Sequence, residues 1–280
     1  MDLITQSFAP RPKELDPLEG VGWGQRASLR LVSGPTYHKL ELVTNIADPT
    51  DIERIELTRN GAQVWSVSGD TLVKAQQHAK HYVQEGRYVL NFGDNKHRTK
   101  AGVRQGDLVT LPGEIWFVYI TLKSKPQGTA APAMRARAMV LPAHAERYYL
   151  PRMYELTWHA SSDGRTPFDW SERNPFFNIK RIHFIDDSIQ RVRILRDNKE
   201  ELNVNKVDNA ADLAEAEREQ NAGWFSIDFT QSGFGAEGML NTAAMQQLQF
   251  ELDKTAPGSV RVVVEAIEQV KAIPSQVAAK

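Results

Sequence analysis

Several residue groups in the 280-residue chain have the types and spacing that chemistry would need. Gly233-Phe-Gly235-Ala-Glu-Gly238 is formally a G-x-G-x-x-G. It would cradle a dinucleotide only if it followed the first strand of a βαβ unit. Here it follows a strand of an antiparallel pattern, so a loop between strands is the favoured reading. His78 and His81 stand three apart on one helix, a spacing two metal ligands can use, but no third ligand and no His-Glu-x-x-His accompanies them. A solvated helix face is the simpler expectation. Asp186-Asp187 lack EF-hand spacing and read as turn formers, with an interface calcium as the functional alternative. Glu215, Glu217 and Glu219 with Arg218 read as a wet helix face. The sequence has no Gly-x-Ser-x-Gly elbow, no phosphate-binding Gly-x-x-x-x-Gly-Lys and no cysteine, which excludes disulfides, thiolate zinc sites and a cysteine nucleophile. No residue is therefore assigned a catalytic or cofactor-binding role, and any metal site stays unassigned.

Hydrophobic residues make up 41% and charged residues 25%, values that let a chain of this length bury a sizeable core in one or two domains. The net charge is −1, without the basic excess of a protein that wraps nucleic acid. The start of the chain has no cationic and apolar leader pattern, and no apolar run approaches the ~20 residues a spanning helix needs.

The elements that must position these residues are mostly strands. Short β-rich segments begin near Ala27: 28–32, 37–44, 52–59 and 63–67, with the hairpin signal Asn60-Gly61 between the last two. A helix over 70–82 follows, with Asp70 as its cap and Leu72, Ala75, Ala79 and Tyr82 as its apolar stripe. Strands then recur at 88–92, 108–111, 115–122 and 134–140. Ile115–Ile120 is apolar on both faces, which predicts a central strand covered on both sides.

The second part of the chain repeats this order. Ile52-Glu-Arg-Ile-Glu-Leu-Thr-Arg-Asn60 matches Ile189-Gln-Arg-Val-Arg-Ile-Leu-Arg-Asp197, with 189 − 52 = 137. Tyr88–Phe92 matches Phe225–Phe229 at the same offset. A second helix is expected at 209–220 and strands at 153–159, 177–185, 191–195, 202–205, 224–230, 240–243, 247–252 and 260–267. The fold class that follows is all-β, a double jelly roll: two eight-stranded antiparallel β-sandwiches side by side, each with one inserted helix. The division is an N-terminal arm (1–22) broken by Pro10, Pro12 and Pro17, one jelly roll (23–143), a second (144–271) and a tail (272–280). Trp65, Trp116, Trp158 and Trp224 fall in strands and read as core. Trp23 and Trp170 fall in loops and, with Phe8 of the arm, are the candidates for contact with a partner.

The run Gly34–Tyr37, then Leu40–Leu42 and Asp51–Gly61, together with 177–184, 191–198, 224–229 and 248–264, resembles the major capsid proteins of corticoviruses. These form the double-jelly-roll coat of tailless icosahedral bacteriophages with an internal lipid membrane. The likeness extends from about Ala27 to Val270 and rests on strand order and helix position. It implies a structural protein and not an enzyme. The expected assembly is a homotrimeric, pseudo-hexameric capsomer in the virion, made in the host cytoplasm. The expected partners are neighbouring capsomers, vertex and minor membrane proteins and, peripherally, the viral membrane; sequence-specific nucleic acid is not among them. No cofactor is implied, with calcium at a lattice interface as the one allowance. The rival readings are a double-jelly-roll amidase acting on N-linked glycans, with acids between its two barrels, and a carbohydrate-binding module using Trp23 or Trp170.

Overall fold

The structure is a computed structural model and describes residues 9–272. Its elements fall into two runs of nine strands. The first is β1 (Arg11–Glu14), β2 (Arg26–Leu31), β3 (Thr36–Thr44), β4 (Ile52–Arg59), β5 (Ala62–Val67), β6 (Arg87–Asn91), β7 (Leu108–Val109), β8 (Trp116–Leu122) and β9 (Met134–Leu141). The second is β10 (Tyr149–Trp158), β11 (Gly164–Asp169), β12 (Phe177–Ile185), β13 (Ile189–Arg196), β14 (Lys199–Asn205), β15 (Trp224–Asp228), β16 (Leu240–Asn241), β17 (Leu248–Lys254) and β18 (Val260–Gln269). Helix α1 (Gly69–His78) follows β5 and α3 (Lys206–Glu215) follows β14, the equivalent place; a five-residue helix, α2 (Lys100–Arg104), lies between β6 and β7.

The double jelly roll is confirmed, with one more strand per half than the sequence suggests. In the first half β1-β9-β3-β6 form one sheet, β7 adding to β3, and β2-β8-β4-β5 the other; β10-β18-β12-β15, with β16, and β11-β17-β13-β14 repeat that order in the second. The repeat extends to register. Bulges fall between Tyr37 and Lys39 and between Ile179 and Arg181, between Leu57 and Thr58 and between Ile194 and Leu195, and between Ile52 and Arg54 and between Ile189 and Arg191. Matched irregularities of this kind place the residues of these strands in one half against counterparts in the other.

The missing strands are β1 and β11. The described part of the segment read as an arm is not irregular: Arg11–Glu14 pairs antiparallel with β9, and Leu15, Leu18 and Val21 pack on the first core. Both missed strands are sheet edges, mostly exposed, and each holds a proline, Pro12 or Pro167. Proline cannot donate to a ladder and is tolerated where one side of the strand is unpaired.

The helices also differ from expectation. Ser68, not Asp70, caps α1 by accepting from the Thr71 N–H, and Asn205 caps α3. Because α1 ends at His78, Leu72 and Ala75 are buried within it while Tyr82 lies beyond the helix and is 81% exposed. Strand β8 is interior to its sheet as predicted, but only one face is fully covered: Trp116, Val118 and Ile120 are buried while Phe117 and Tyr119 stack on the outer, half-exposed face with centroids 5.5 Å apart.

Two apolar cores result. One lies inside the first sandwich and reaches into the second half through Leu150, Met153, Trp224 and Val263. The other, around Phe184, Phe250 and Val262, belongs wholly to the second sandwich.

Candidate functional site: the seam between the sandwiches

The two sandwiches share backbone. β5 and β10 run parallel, with Trp65 opposite Met153 and Ser66 opposite Tyr154, and this joins a sheet of each half into one of nine strands. Side chains fix the junction. Arg152 Nη1 donates to the Gln63 carbonyl (2.7 Å), and the Ser68 N–H donates to Glu155 Oε1 (3.1 Å). Beside it α1 lies over β12 and β15, with the His78 ring 4.9 Å from the His183 ring and Lys74 Nζ 5.8 Å from the Trp224 ring. The loop before β15 is tied to the helix: the Glu219 N–H donates to the His78 carbonyl (2.9 Å), and Asn221 Nδ2 to the Lys74 carbonyl (2.7 Å).

Under α1 is a buried cluster of charge. Arg181 donates through Nη2 to Asp94 Oδ2 (2.6 Å), through Nε to Asp228 Oδ2 (2.7 Å) and through Nη1 to Glu265 Oε2 (3.1 Å). Arg218 Nε adds a bond to Asp228 Oδ2 (3.1 Å). Arg181, Arg218, Asp94 and Asp228 are each at most 4% exposed. With Lys180, the cations Lys180, Arg181 and Arg218 balance the carboxylates Asp94, Asp228 and Glu265. Asp94 comes from the first sandwich and the rest from the second, so the cluster bridges the seam.

The field inside the cluster is strong. Burial pushes the Asp94, Asp228 and Glu265 carboxyls up, but the Arg181 guanidinium beside them outweighs it and holds all three far below the ordinary range. Burial in turn pushes His183, His97 and His81 down, His81 to about 4. His183 Nε2–H donates to Glu265 Oε1 (3.1 Å) while Nδ1 faces the Ser226 hydroxyl (2.8 Å), and His78 Nδ1–H donates to the Glu219 carbonyl (2.7 Å). Carboxylates held ionised cannot act as general acids. The cavity beside them, between Trp65, His81, Lys180 and Arg181, is 30 Å³, room for water and not for a sugar. The chemistry of the seam is fastening: a bridging guanidinium with three carboxylate partners fixes one geometry between two bodies.

Two family descriptions match the chain: viral coat protein P2 N-terminal domain over residues 12–141 and viral coat protein P2 C-terminal domain over residues 150–270. The chain belongs to the viral coat protein P2 family. It is a viral major capsid protein, a structural subunit and not an enzyme, and its place is the virion capsid. Among solved structures this coat protein is similar to the major capsid protein P2 from bacteriophage PM2 (TM-score 0.85, 18% identity, 93% of this chain and 98% of that one). It is also similar to the STIV MCP (TM-score 0.69, 12% identity, 96% and 99%) and to the PBCV-1 virus capsid protein (TM-score 0.62, 11% identity, 96% and 98%). At these identities the likeness speaks to the fold. No curated protein sequence matched the chain.

The coat protein places the residues singled out from sequence as follows. Phe8 lies outside the described residues. Trp23 is half-buried, with Nε1–H donating to the Ala130 carbonyl (2.8 Å). Trp170 is 5% exposed and packs on Phe250 in the second core, so its ring is a core element and not a free contact surface. His78 corrects the solvated-face expectation: it is fully buried, 4.9 Å from the His183 ring. Arg218 is likewise buried, beyond the end of α3, while Glu215, Glu217 and Glu219 are exposed. Asp186 and Asp187 are paired with Lys254 and Lys206 (2.7 Å each), and no cluster of metal-ligating side chains occurs among the described residues. The Gly233–Gly238 loop meets the first sandwich: the Arg98 N–H donates to the Gly233 carbonyl, and at Gly235 (φ +70°) a Cβ would stand 2.9 Å from Gly102 Cα.

The seam residues themselves were not found from sequence. Their signal was present as charge inside apolar strands: Lys180-Arg181 within Phe177–Ile185, Asp228 at the end of Trp224–Asp228, and Glu265 within Val260–Gln269.

Proposed function

We propose that three copies of this coat protein close into a ring of six sandwiches, a pseudo-hexagonal capsomer, and that such capsomers tile a shell over an internal lipid membrane. The observation that carries this reading is the internal repeat. Two sandwiches of the same strand order and register meet through different surfaces, β5 and α1 on one and the β10–β12–β15 side on the other. Such a heterologous contact, repeated, generates a ring when its rotation closes. A duplicated chain then needs three copies to supply six units. The near-zero net charge suits dense packing of many copies.

Light scattering should give a mass near three times 31.5 kDa, and negative-stain images should show hexagonal outlines; a subunit that stays monomeric at high concentration ends the proposal. The terminal segments 1–8 and 273–280 are the proposed contacts with neighbouring capsomers, minor and vertex proteins or the membrane, with Phe8 the first residue to test. Truncation must stop short of Arg11, since β1 starts there. Removing residues 1–8 should leave trimers intact and abolish closed shells in an in vitro assembly reaction; normal shells refute the assignment.

A further inference from the structure

The contact between the two halves inside the chain leaves its own counterpart unused. By the repeat, β14 and α3 are the equivalents of β5 and α1, and β1 is the equivalent of β10. Register fixes which residues correspond. Arg11 stands opposite Val140 and Arg152 opposite Ala266, while Val140 stands opposite Tyr37 and Ala266 opposite Ile179, each just before the matched bulge. Arg11 is thus the counterpart of Arg152, Pro12 of Met153, Lys13 of Tyr154 and Glu14 of Glu155. On the other side, Leu57 opposite Trp65 corresponds to Ile194 opposite Leu202, so Leu202 is the counterpart of Trp65 and Asn203 of Ser66.

We infer that β1 of one copy pairs in parallel with β14 of the next, Pro12 beside Leu202 of the partner subunit and Lys13 beside Asn203 of the partner subunit. This rests on the trimeric reading above and deepens it by naming the surfaces.

Three observations beyond topology support the pairing. The two side chains that fasten β10 to the first sandwich are Arg152 and Glu155, and β1 carries the same residue types at the same positions, Arg11 and Glu14. The arginine that accompanies each glutamate recurs as well: Glu14 pairs with Arg135 (3.0 Å) and Glu155 with Arg261 (3.9 Å), Arg135 and Arg261 being register equivalents. Second, both strands are open edges. All four residues of β1 are exposed, and β14 is exposed or half-exposed throughout, including Leu202, whose counterpart Trp65 is buried by Met153's strand. Unpaired edges of this length invite another strand.

Third, the charges agree. Where α1 covers the β12–β15 face in the chain, α3 of the partner subunit would cover the β3–β6 face. That face is open here, with a 170 Å³ cavity between Lys39, Glu41, Arg87 and Asn91. It is edged by Lys39, Arg87 and Arg137, with Glu41 bonded to Arg87 (2.5 Å) and paired with Arg137 (3.3 Å). The end of α3 and the turn that follows it present Glu215, Glu217 and Glu219, exposed carboxylates of opposite sign. Acid on base steers and registers such a contact.

The chain has no cysteine, so an engineered pair reports without background. Lys13→Cys with Asn203→Cys, both at exposed positions, should yield under mild oxidation covalent dimers and trimers ending at three chains, because neighbouring strands hold Cα atoms within disulfide range; each single variant should not. If light scattering shows trimers and the double variant gives no covalent species, the pairing is wrong and the trimer stands. If no trimers form at all, the trimeric reading fails and the pairing with it. Independently, Arg11→Ala should raise the trimer dissociation constant about tenfold, and an unchanged constant overturns the pairing.

Discussion

The same face of the same sheet is put to two uses in the two sandwiches. In the second, the β12–β15–β18 face is roofed by α1 and holds Arg181, His183, Asp228 and Glu265 away from water. In the first, the equivalent positions are Lys39, Glu41, Asn91 and Met139, and the face is open in the single chain. The backbone and its bulges are shared, so the difference is one of covering. A covered face can hold buried charge only when every charge has partners, and the second sandwich supplies them. The open face keeps one buried carboxylate, Glu41, and answers it with Arg87 and Arg137, whose side chains are 30% and 32% exposed.

The sharpest way to break this comparison is to remove one cation from each face. Arg181→Ala leaves Asp94, Asp228 and Glu265 short of their central partner inside the seam, and loss of one member of a buried network costs about 3–5 kcal/mol. Lys39→Ala, at the equivalent open position, should cost less than about 0.5 kcal/mol. Urea denaturation of both variants tests this. Equal effects would mean that the seam is wetter than its geometry indicates.

Acid should separate the two faces next. His81, His97 and His183 have pKa values pushed down by burial, His81 to about 4. A group whose folded pKa is depressed below an unfolded value near 6.5 adds stability that is present above about pH 6.5 and is lost as pH falls toward the folded value. Arg181, Arg218, Lys180 and Lys96 act on these rings as cations, with Asp94 and Glu265 as anions. The three carboxyls, also depressed, hold their contribution above their unfolded values near 4 and lose it only at lower pH. Between pH 7.5 and 4.5 the subunit should therefore lose about 2 kcal/mol through His81 alone, at about 1.4 kcal/mol per pKa unit with allowance for its partial exposure. A stability flat over that range, measured by denaturant titration at each pH, contradicts the neutral, buried histidines.

Most of the fold was legible in the sequence because duplication doubles the signal. The 137-residue offset between Ile52 and Ile189 aligned strands that would have been weak singly. What stayed illegible had physical causes. β1 and β11 contain Pro12 and Pro167 and expose most of their side chains, so neither alternation nor continuity marks them. Tyr82 continues the helical period of α1 although the helix stops at His78, because periodicity carries no information about where hydrogen bonding ends. His78 looked solvated because its partners, Glu219 and Asp228, lie 141 and 150 residues away in sequence. Trp170 looked like a surface residue because its loop is short of strand signals, and its ring nonetheless finds Phe250. The seam was missed as a whole, since a charged residue in an apolar strand reads as a sheet edge until the covering body is known.

The smallest expected effect is the one that tells the two junctions apart. Glu155 accepts the Ser68 N–H at the start of α1, and a carboxylate there also sits at the positive end of the helix dipole. Glu155→Gln keeps the shape and removes the charge, so it should lower the stability of the isolated subunit by about 0.5–1 kcal/mol. Glu14 is the equivalent residue on the open edge, 64% exposed at its side chain, and in one chain it faces solvent. Glu14→Gln should leave the thermal midpoint of a dilute, monomeric sample unchanged and lower it only at concentrations where trimers form, because its helix start belongs to the next copy. The concentration dependence of the two midpoints, followed by calorimetry, separates a fastening made within the chain from the same fastening made between chains.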